Sequence, residues 1–287
     1  MISRRAMKEE FNPIVKTYQK FKYDIKFRKE NPDYFWPDGL LIFIGPQGSG
    51  KTLSAVNYVY NLMDFYPKAK LVTNIALTDY PVVTFEAFML KKYLVDINDP
   101  ELINDYTPEE YKELINKFYN EYLEENRIFS FENGDDLKRY GNGKYGVIFL
   151  VDEIQLYFNS LQSKNINIEV MTQISQQRKQ RKHIVCTSQV FGRMAKPLRE
   201  QFSNVILCKG YFNLFQKCML IDRDSIDGES STDTNLTGTV VKNFWYIRSP
   251  KMFERYDTYV VIENKNIEAT SEKQNIYGRE GNINDNS

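Results

Sequence analysis

Eight residues, Gly45, Pro46, Gln47, Gly48, Ser49, Gly50, Lys51 and Thr52, fill every fixed position of the pattern G-x-x-x-x-G-K-[ST]. Glycines let backbone N–H groups close around phosphate oxygens, and a following helix turns its positive dipole end toward them. Lys51 is placed to pair with β- and γ-phosphates, and the Thr52 hydroxyl to ligate Mg²⁺. The second chemical feature lies one hundred residues beyond Thr52, where Val147-Ile148-Phe149-Leu150-Val151 runs into Asp152-Glu153. Five consecutive apolar residues read as a buried parallel strand, and ligands bind at the C-terminal ends of such strands. Asp152 then suits holding Mg²⁺ through water, and Glu153 suits polarising an attacking water. Together the two features specify a site that binds Mg²⁺ with ATP or GTP and hydrolyses it.

These groups need a sheet to hold them. The apolar run 40–44 reads as the strand before the glycine loop, and 54–62 as the helix after it. Residues 69–75 read as a further strand whose Thr73 and Asn74 end near the nucleotide. Alternating helix and strand at this spacing implies an α/β domain with a mostly parallel sheet and right-handed crossovers. Residues 184–189 and 203–208 supply two more strands, and 216–221, 238–247 and 258–262 are β-like. Residues 83–127 read as mostly helical. Thr107-Pro108-Glu109-Glu110 is a start signal, followed by an apolar stripe of Tyr111, Leu114, Ile115, Phe118, Tyr122 and Leu123 suited to core packing or to a partner groove.

The divisions expected are an N-terminal helical arm (1–38), a core (39–210) with a helical insertion (83–127), a β-rich extension (211–262) and a disordered tail (263–287). The arm carries nine Lys or Arg with aromatics interleaved. It reads first as an amphipathic helix over 14–29 packed on the core, with contact to nucleic acid or a neighbouring subunit as the alternative.

The formal net charge is zero, so a nucleic-acid site has to be a local patch. One such asymmetry exists: Arg178, Lys179, Arg181, Lys182, Arg193, Lys196 and Arg199 lie between Glu169 and Glu200 with no acidic residue among them. The run 171–182 reads as a helix with a basic end. It suits contact with DNA or with a neighbour's nucleotide, or simply a solvated helix end. Cys186, Cys208 and Cys218 lack metal-site spacing and read as reduced thiols in a cytoplasmic protein. His183 is the only histidine. No apolar run is long enough for a membrane span, and the N-terminus lacks a secretory core.

The glycine loop 45–52, the Leu71-Val72-Thr73-Asn74-Ile75 strand, Leu150-Val151-Asp152-Glu153-Ile154-Gln155 and the strand end Thr187-Ser188-Gln189 resemble the zonular occludens toxin-like phage ATPases of the FtsK/HerA group of DNA-pumping motors. The resemblance covers roughly 40–210. It implies an additional-strand RecA-like P-loop fold, homo-oligomeric rings and ATP hydrolysed between subunits. It implies that Gln189 senses the γ-phosphate and that Arg178 acts in trans, with Arg181 and then Arg199 as further candidates. A chain without a membrane span fits a phage DNA-packaging ATPase in the host cytoplasm, working on double-stranded DNA with a portal or assembly protein. A membrane-peripheral extrusion motor is the first alternative, and a small-molecule or nucleoside kinase the second.

Overall fold

A computed structural model describes residues 13–97, 99, 106–158, 168–226 and 238–257. The expected strand 258–262 and tail 263–287 lie outside the described residues. Eight strands form one sheet: β1 (Gly39–Ile44), β2 (Lys70–Thr73), β3 (Ile128–Ser130), β4 (Val147–Val151), β5 (Lys182–Ser188), β6 (Phe202–Tyr211), β7 (Phe215–Ile221) and β8 (Val240–Ile247). Their spatial order is β3-β2-β4-β5-β1-β6-β7-β8. The first six run parallel, β7 returns antiparallel along the β6 edge, and β8 pairs antiparallel with β7. β5 therefore lies between the strand that leads into the glycine loop and the strand that ends in Asp152-Glu153. That inserted strand is the additional-strand arrangement, and the α/β P-loop fold expected of the sequence is present.

The longer helices are α1 (Pro13–Glu30), α2 (Lys51–Phe65), α3 (Phe85–Tyr93), α4 (Pro108–Glu125) and α6 (Ile168–Gln176); the four-residue α5 (Asp136–Arg139) precedes β4, and α7 (Lys196–Arg199) precedes β6. The central strands β1, β4 and β5 are buried along their whole length, as continuous apolar runs require. One face packs Val56, Val59 and Met63 of α2, and the other packs Phe149, Ile174 and Leu198.

The helical insertion holds α3 and α4, and it is followed by a short strand, β3, that the sequence reading missed. Three residues are too few to carry a period, and the pairing of Leu71, Val72 and Thr73 with Ile128, Phe129 and Ser130 is a tertiary choice. Thr107 and Glu110 form a reciprocal cap at the start of α4. The aromatic stripe does pack inward: Tyr122 is buried against Phe85, Phe88 and Phe129, and its hydroxyl donates to the Val83 carbonyl at 2.6 Å.

Two expectations need correction. Over the described side chains 20–30, α1 is not packed along the core, because Phe21, Tyr23 and Ile25 are exposed at 60%, 64% and 41%. Its end is tied down, with Phe27 edge-on to Tyr34 and Trp36. The basic helix expected over 171–182 ends at Gln176, and a turn then feeds Lys182 into β5. Burying His183, Ile184 and Val185 between β1 and β4 outweighs continuing the helix. Lys182 is consequently buried, its ammonium donating to the Leu137 carbonyl at 2.6 Å, so it is not a surface contact for DNA or a neighbour.

His183 sits beside Lys182 in the same strand. Its Nδ1 lies 3.1 Å from the carbonyls of Asp38 and Gly39, and its Nε2 lies 3.0 Å from the Tyr58 hydroxyl. Nδ1–H donating and Nε2 accepting satisfies all partners with a neutral ring. Burial pushes the pKa down to about 4. The unfolded chain thus takes up a proton near pH 6.5 that the native chain refuses until about pH 4. Stability contributed by neutral His183 is complete above 6.5 and falls as pH drops through that window. A histidine NMR titration is expected to show a midpoint near 4, and one near 6.5 contradicts this account.

Candidate nucleotide site

The loop between β1 and α2 is set by backbone needs before side chains enter. Gly48 and Gly50 take φ of +75° and +83°, which favours glycine. A Cβ at Gly50 would stand 2.2 Å from Gln216 Oε1, so that position also excludes a side chain by contact. α2 then begins at Lys51 and presents its first N–H groups at the loop. Ser49 Oγ is buried and has no hydrogen-bond partner among the described residues, which suits a hydroxyl meant for a ligand oxygen.

Lys51, Thr52, Asp152, Glu153 and Gln189 converge at the C-terminal ends of β1, β4 and β5. The Thr52 hydroxyl donates to Asp152 Oδ1 at 2.9 Å, and the Thr187 hydroxyl donates to the same oxygen. The Asn74 amide brackets the Asp152 backbone, donating to its carbonyl at 3.0 Å and accepting from its N–H at 2.8 Å. Glu153 Oε1 lies 3.0 Å from the Lys51 ammonium and accepts from Gln189 Nε2 at 3.1 Å, while Gln155 donates to Oε2. The Glu153 backbone stands at φ +50°, an unfavourable region for a non-glycine residue, and its N–H is held by Thr187 Oγ1 at 3.0 Å. That local strain turns the Glu153 side chain back toward Lys51 instead of along the strand.

The two carboxylates are tuned apart. Burial raises the Asp152 pKa, and the Thr187 and Thr52 hydroxyls only partly offset this. Burial also opposes the charge on Glu153, but Gln155, the Lys51 ammonium and Gln189 together hold its pKa below the usual carboxylate value. Glu153 is therefore kept ionised beside a cation.

Thr52 and Asp152 offer hard oxygen donors side by side, which fits Mg²⁺. No cluster of three or more His, Cys, Asp or Glu suited to a metal exists among the described residues. Mg²⁺ bound with a nucleotide would draw its further ligands from phosphate and water.

Two residues near the site were missed from the sequence. Gln216, in β7, is fully buried and donates from Nε2 to the Ser49 carbonyl at 3.0 Å. Arg248, just after β8, donates to Gln216 Oε1 from Nε at 2.9 Å and from Nη2 at 2.6 Å, and to the Ser49 carbonyl from Nη2 at 3.2 Å. A polar residue in an otherwise apolar β-like run was the available signal for Gln216.

The basic cluster divides. Arg178 lies on Asp38 at 2.7 Å with its side chain 80% exposed, and Lys179, Arg193 and Lys196 are also exposed. The Arg181 guanidinium covers the Tyr34 ring at 3.8 Å, and Arg199 is half-buried. Asp38 precedes β1 and the glycine loop follows it, so Arg178 stands about 20 Å from its own loop at 3.3 Å per strand residue.

No protein-family model matches the sequence, and no curated protein matches it. Among solved structures, the chain is similar to the N-terminal domain of zonular occludens toxin from Neisseria meningitidis. The TM-score is 0.45 at 17% identity, over 77% of this chain and 100% of that one. It is also similar to the genome packaging NTPase B204 from Sulfolobus turreted icosahedral virus 2 in complex with sulfate, with TM-score 0.39, 11% identity and 62% and 76% of the two chains covered. The same NTPase in complex with ATP-gammaS matches with TM-score 0.39 and 10% identity, over 75% of this chain and 98% of that one. No helix among the described residues is long and apolar enough to cross a membrane.

Proposed function

We propose that this chain is a ring-forming ATPase that couples ATP hydrolysis to translocation of double-stranded DNA, in the packaging of a phage genome. The observation that carries the reading is the Glu153 carboxylate, held ionised between Lys51 and Gln189 at the mouth of the glycine loop. A binding-only site gains nothing from it. A hydrolase needs a carboxylate there to orient water, and a group on the additional strand to couple that carboxylate to the γ-phosphate.

In this reading the loop amides and Lys51 bind the phosphates, and Thr52 and Asp152 would hold Mg²⁺, which would supply charge neutralisation at the phosphate oxygens. Lys51 exchanges Glu153 for phosphate, which frees the carboxylate to take a proton from water. Gln189 then reports the change along β5. Arg178 is too far from its own loop to act there, so it serves the site of a neighbouring copy, as an exposed arginine at the opposite end of the sheet can. Lys179, Arg193, Lys196 and Arg199 are left to the DNA or to that neighbour.

The test is the ATPase rate of the purified chain with and without duplex DNA, read beside its mass in solution. Slow hydrolysis by the monomer and a faster rate on assembly are expected. Arg178→Ala should abolish the gain on assembly while leaving ATP binding unchanged. A monomer that hydrolyses ATP at full rate in dilute solution would falsify the shared-site reading.

A further inference from the structure

The β6–β7 hairpin carries an arrangement that the nucleotide site does not use. Ile44, the last residue of β1, pairs with Leu207, yet β6 continues to Tyr211. The hairpin thus projects about 13 Å past β1 on the side of the glycine loop, at 3.3 Å per residue. Its turn is closed by the Leu214 N–H donating to the Tyr211 carbonyl, with Phe212 and Asn213 both at φ +53°. Both central residues at positive φ make a type I′ turn, where glycine and asparagine are preferred and a phenylalanine is an outlier. Phe212 is also 93% exposed, so no packing among the described residues accounts for it.

The strand surface behind the tip matches it. On the face away from α2, β pairing sets Lys209, Lys217 and Trp245 in one cross-strand row and Tyr211, Phe215 and Ile247 in the next. Tyr211 stacks on Trp245 at 5.7 Å, and the Lys217 ammonium lies 5.1 Å from the indole centre. Trp245 remains 57% exposed. From residue 201 to 221, and again from 238 to 253, the chain has no Asp or Glu, while Lys209, Lys217, Lys242 and Lys251 fall within these stretches outside the buried Arg248. In a chain of zero net charge this acid-free aromatic surface is complementary to a polyanion that also offers flat apolar rings.

We infer that the Phe212 tip and the Lys209–Lys217–Trp245 row bind single-stranded nucleic acid, with bases stacking on Phe212 and Trp245 and phosphates meeting the two lysines. Duplex bases are already stacked and hide their faces, whereas every unpaired base offers one. The site stands independently of hydrolysis, because no residue in it touches Lys51, Asp152 or Glu153.

The experiment is fluorescence anisotropy with a labelled oligothymidylate of roughly 15 nucleotides and a duplex of equal length, without nucleotide. The single strand should bind more tightly, with an affinity that falls as salt rises. Phe212→Gly removes a stacking ring and relieves the turn, so its melting temperature should not fall while affinity drops roughly tenfold. The double variant Lys209→Ala/Lys217→Ala should weaken binding and flatten the salt dependence. In a Trp36→Phe background, Trp245 emission should be quenched by the oligonucleotide. Unchanged affinity of Phe212→Gly overturns the inference, as does a duplex binding as tightly as the single strand. Loss of self-association in Phe212→Gly, with oligonucleotide affinity intact, would instead assign the tip to a contact between copies.

Discussion

Replacing Glu153 by Gln is expected to lower ATP turnover about a hundredfold or more while ATP still binds, the usual scale for removing a positioned base. At 1.36 kcal/mol per factor of ten, this is roughly 3 kcal/mol of transition-state stabilisation. The substitution keeps the shape of the side chain and its contact with Gln189, since an amide oxygen can still accept from Nε2. What it removes is the charge that the Lys51 ammonium holds at 3.0 Å. Lys51 then has less to give up when it meets phosphate, so ATP affinity should be equal or tighter. The paired measurements are single-turnover hydrolysis and equilibrium binding of a labelled ATP. Wild-type turnover in Glu153→Gln sinks the assignment, whereas weak binding with weak turnover points to a damaged loop. Thr187→Val is the companion variant. It removes the hydroxyl shared by Asp152 Oδ1 and the Glu153 N–H, so turnover should fall through misplacement of both carboxylates.

The residues that were legible in the sequence are those whose chemistry is local. Gly50, Lys51 and Thr52 are consecutive, Asp152 and Glu153 end one apolar run, and Gln189 ends another. Each motif is written within a single strand and its turn, and the parallel topology brings the strand ends together without further instruction. What was not legible depends on pairing between distant segments. β3 is a strand only because the β2 edge is available to it. The end of α6 at Gln176 follows from the demand of β1 and β4 for a buried neighbour, which drew Lys182 inward against its charge. The arm was misread for a related reason: an amphipathic pattern says which face could be buried, not whether a surface exists to bury it. In the same way, the brace behind the glycine loop joins residues whose partners lie more than 160 positions apart.

That brace carries the other large expected effect. Arg248→Ala should lower the melting temperature by about 6–12 °C and weaken ATP binding roughly tenfold, although no group of Arg248 belongs to the glycine loop pattern. Arg248 is 8% exposed, and its guanidinium makes three hydrogen bonds, two to Gln216 Oε1 and one to the Ser49 carbonyl. Truncation leaves the Gln216 oxygen buried without these donors, at a cost of about 3 kcal/mol when charged donors are lost; for a chain of this size each kcal/mol is roughly 2–4 °C. Gln216 then loses its orientation, and with it the bond from Nε2 to the Ser49 carbonyl. Ser49 lies between Gly48 and Gly50, both at positive φ, where the backbone gains nothing from a regular helix or strand and is held from behind by these bonds. A freed loop must be ordered by ATP itself, so affinity falls while the Glu153 chemistry is untouched. The split distinguishes a brace from a catalytic group: Kd and melting temperature should move together, and single-turnover hydrolysis at saturating ATP should change little. Arg248→Lys is the sharper control. A single ammonium cannot reproduce the fork to two acceptors, so it should recover less than half of the lost stability. Recovery to the wild-type level would mean that charge near the loop, and not the fork, is what Arg248 supplies.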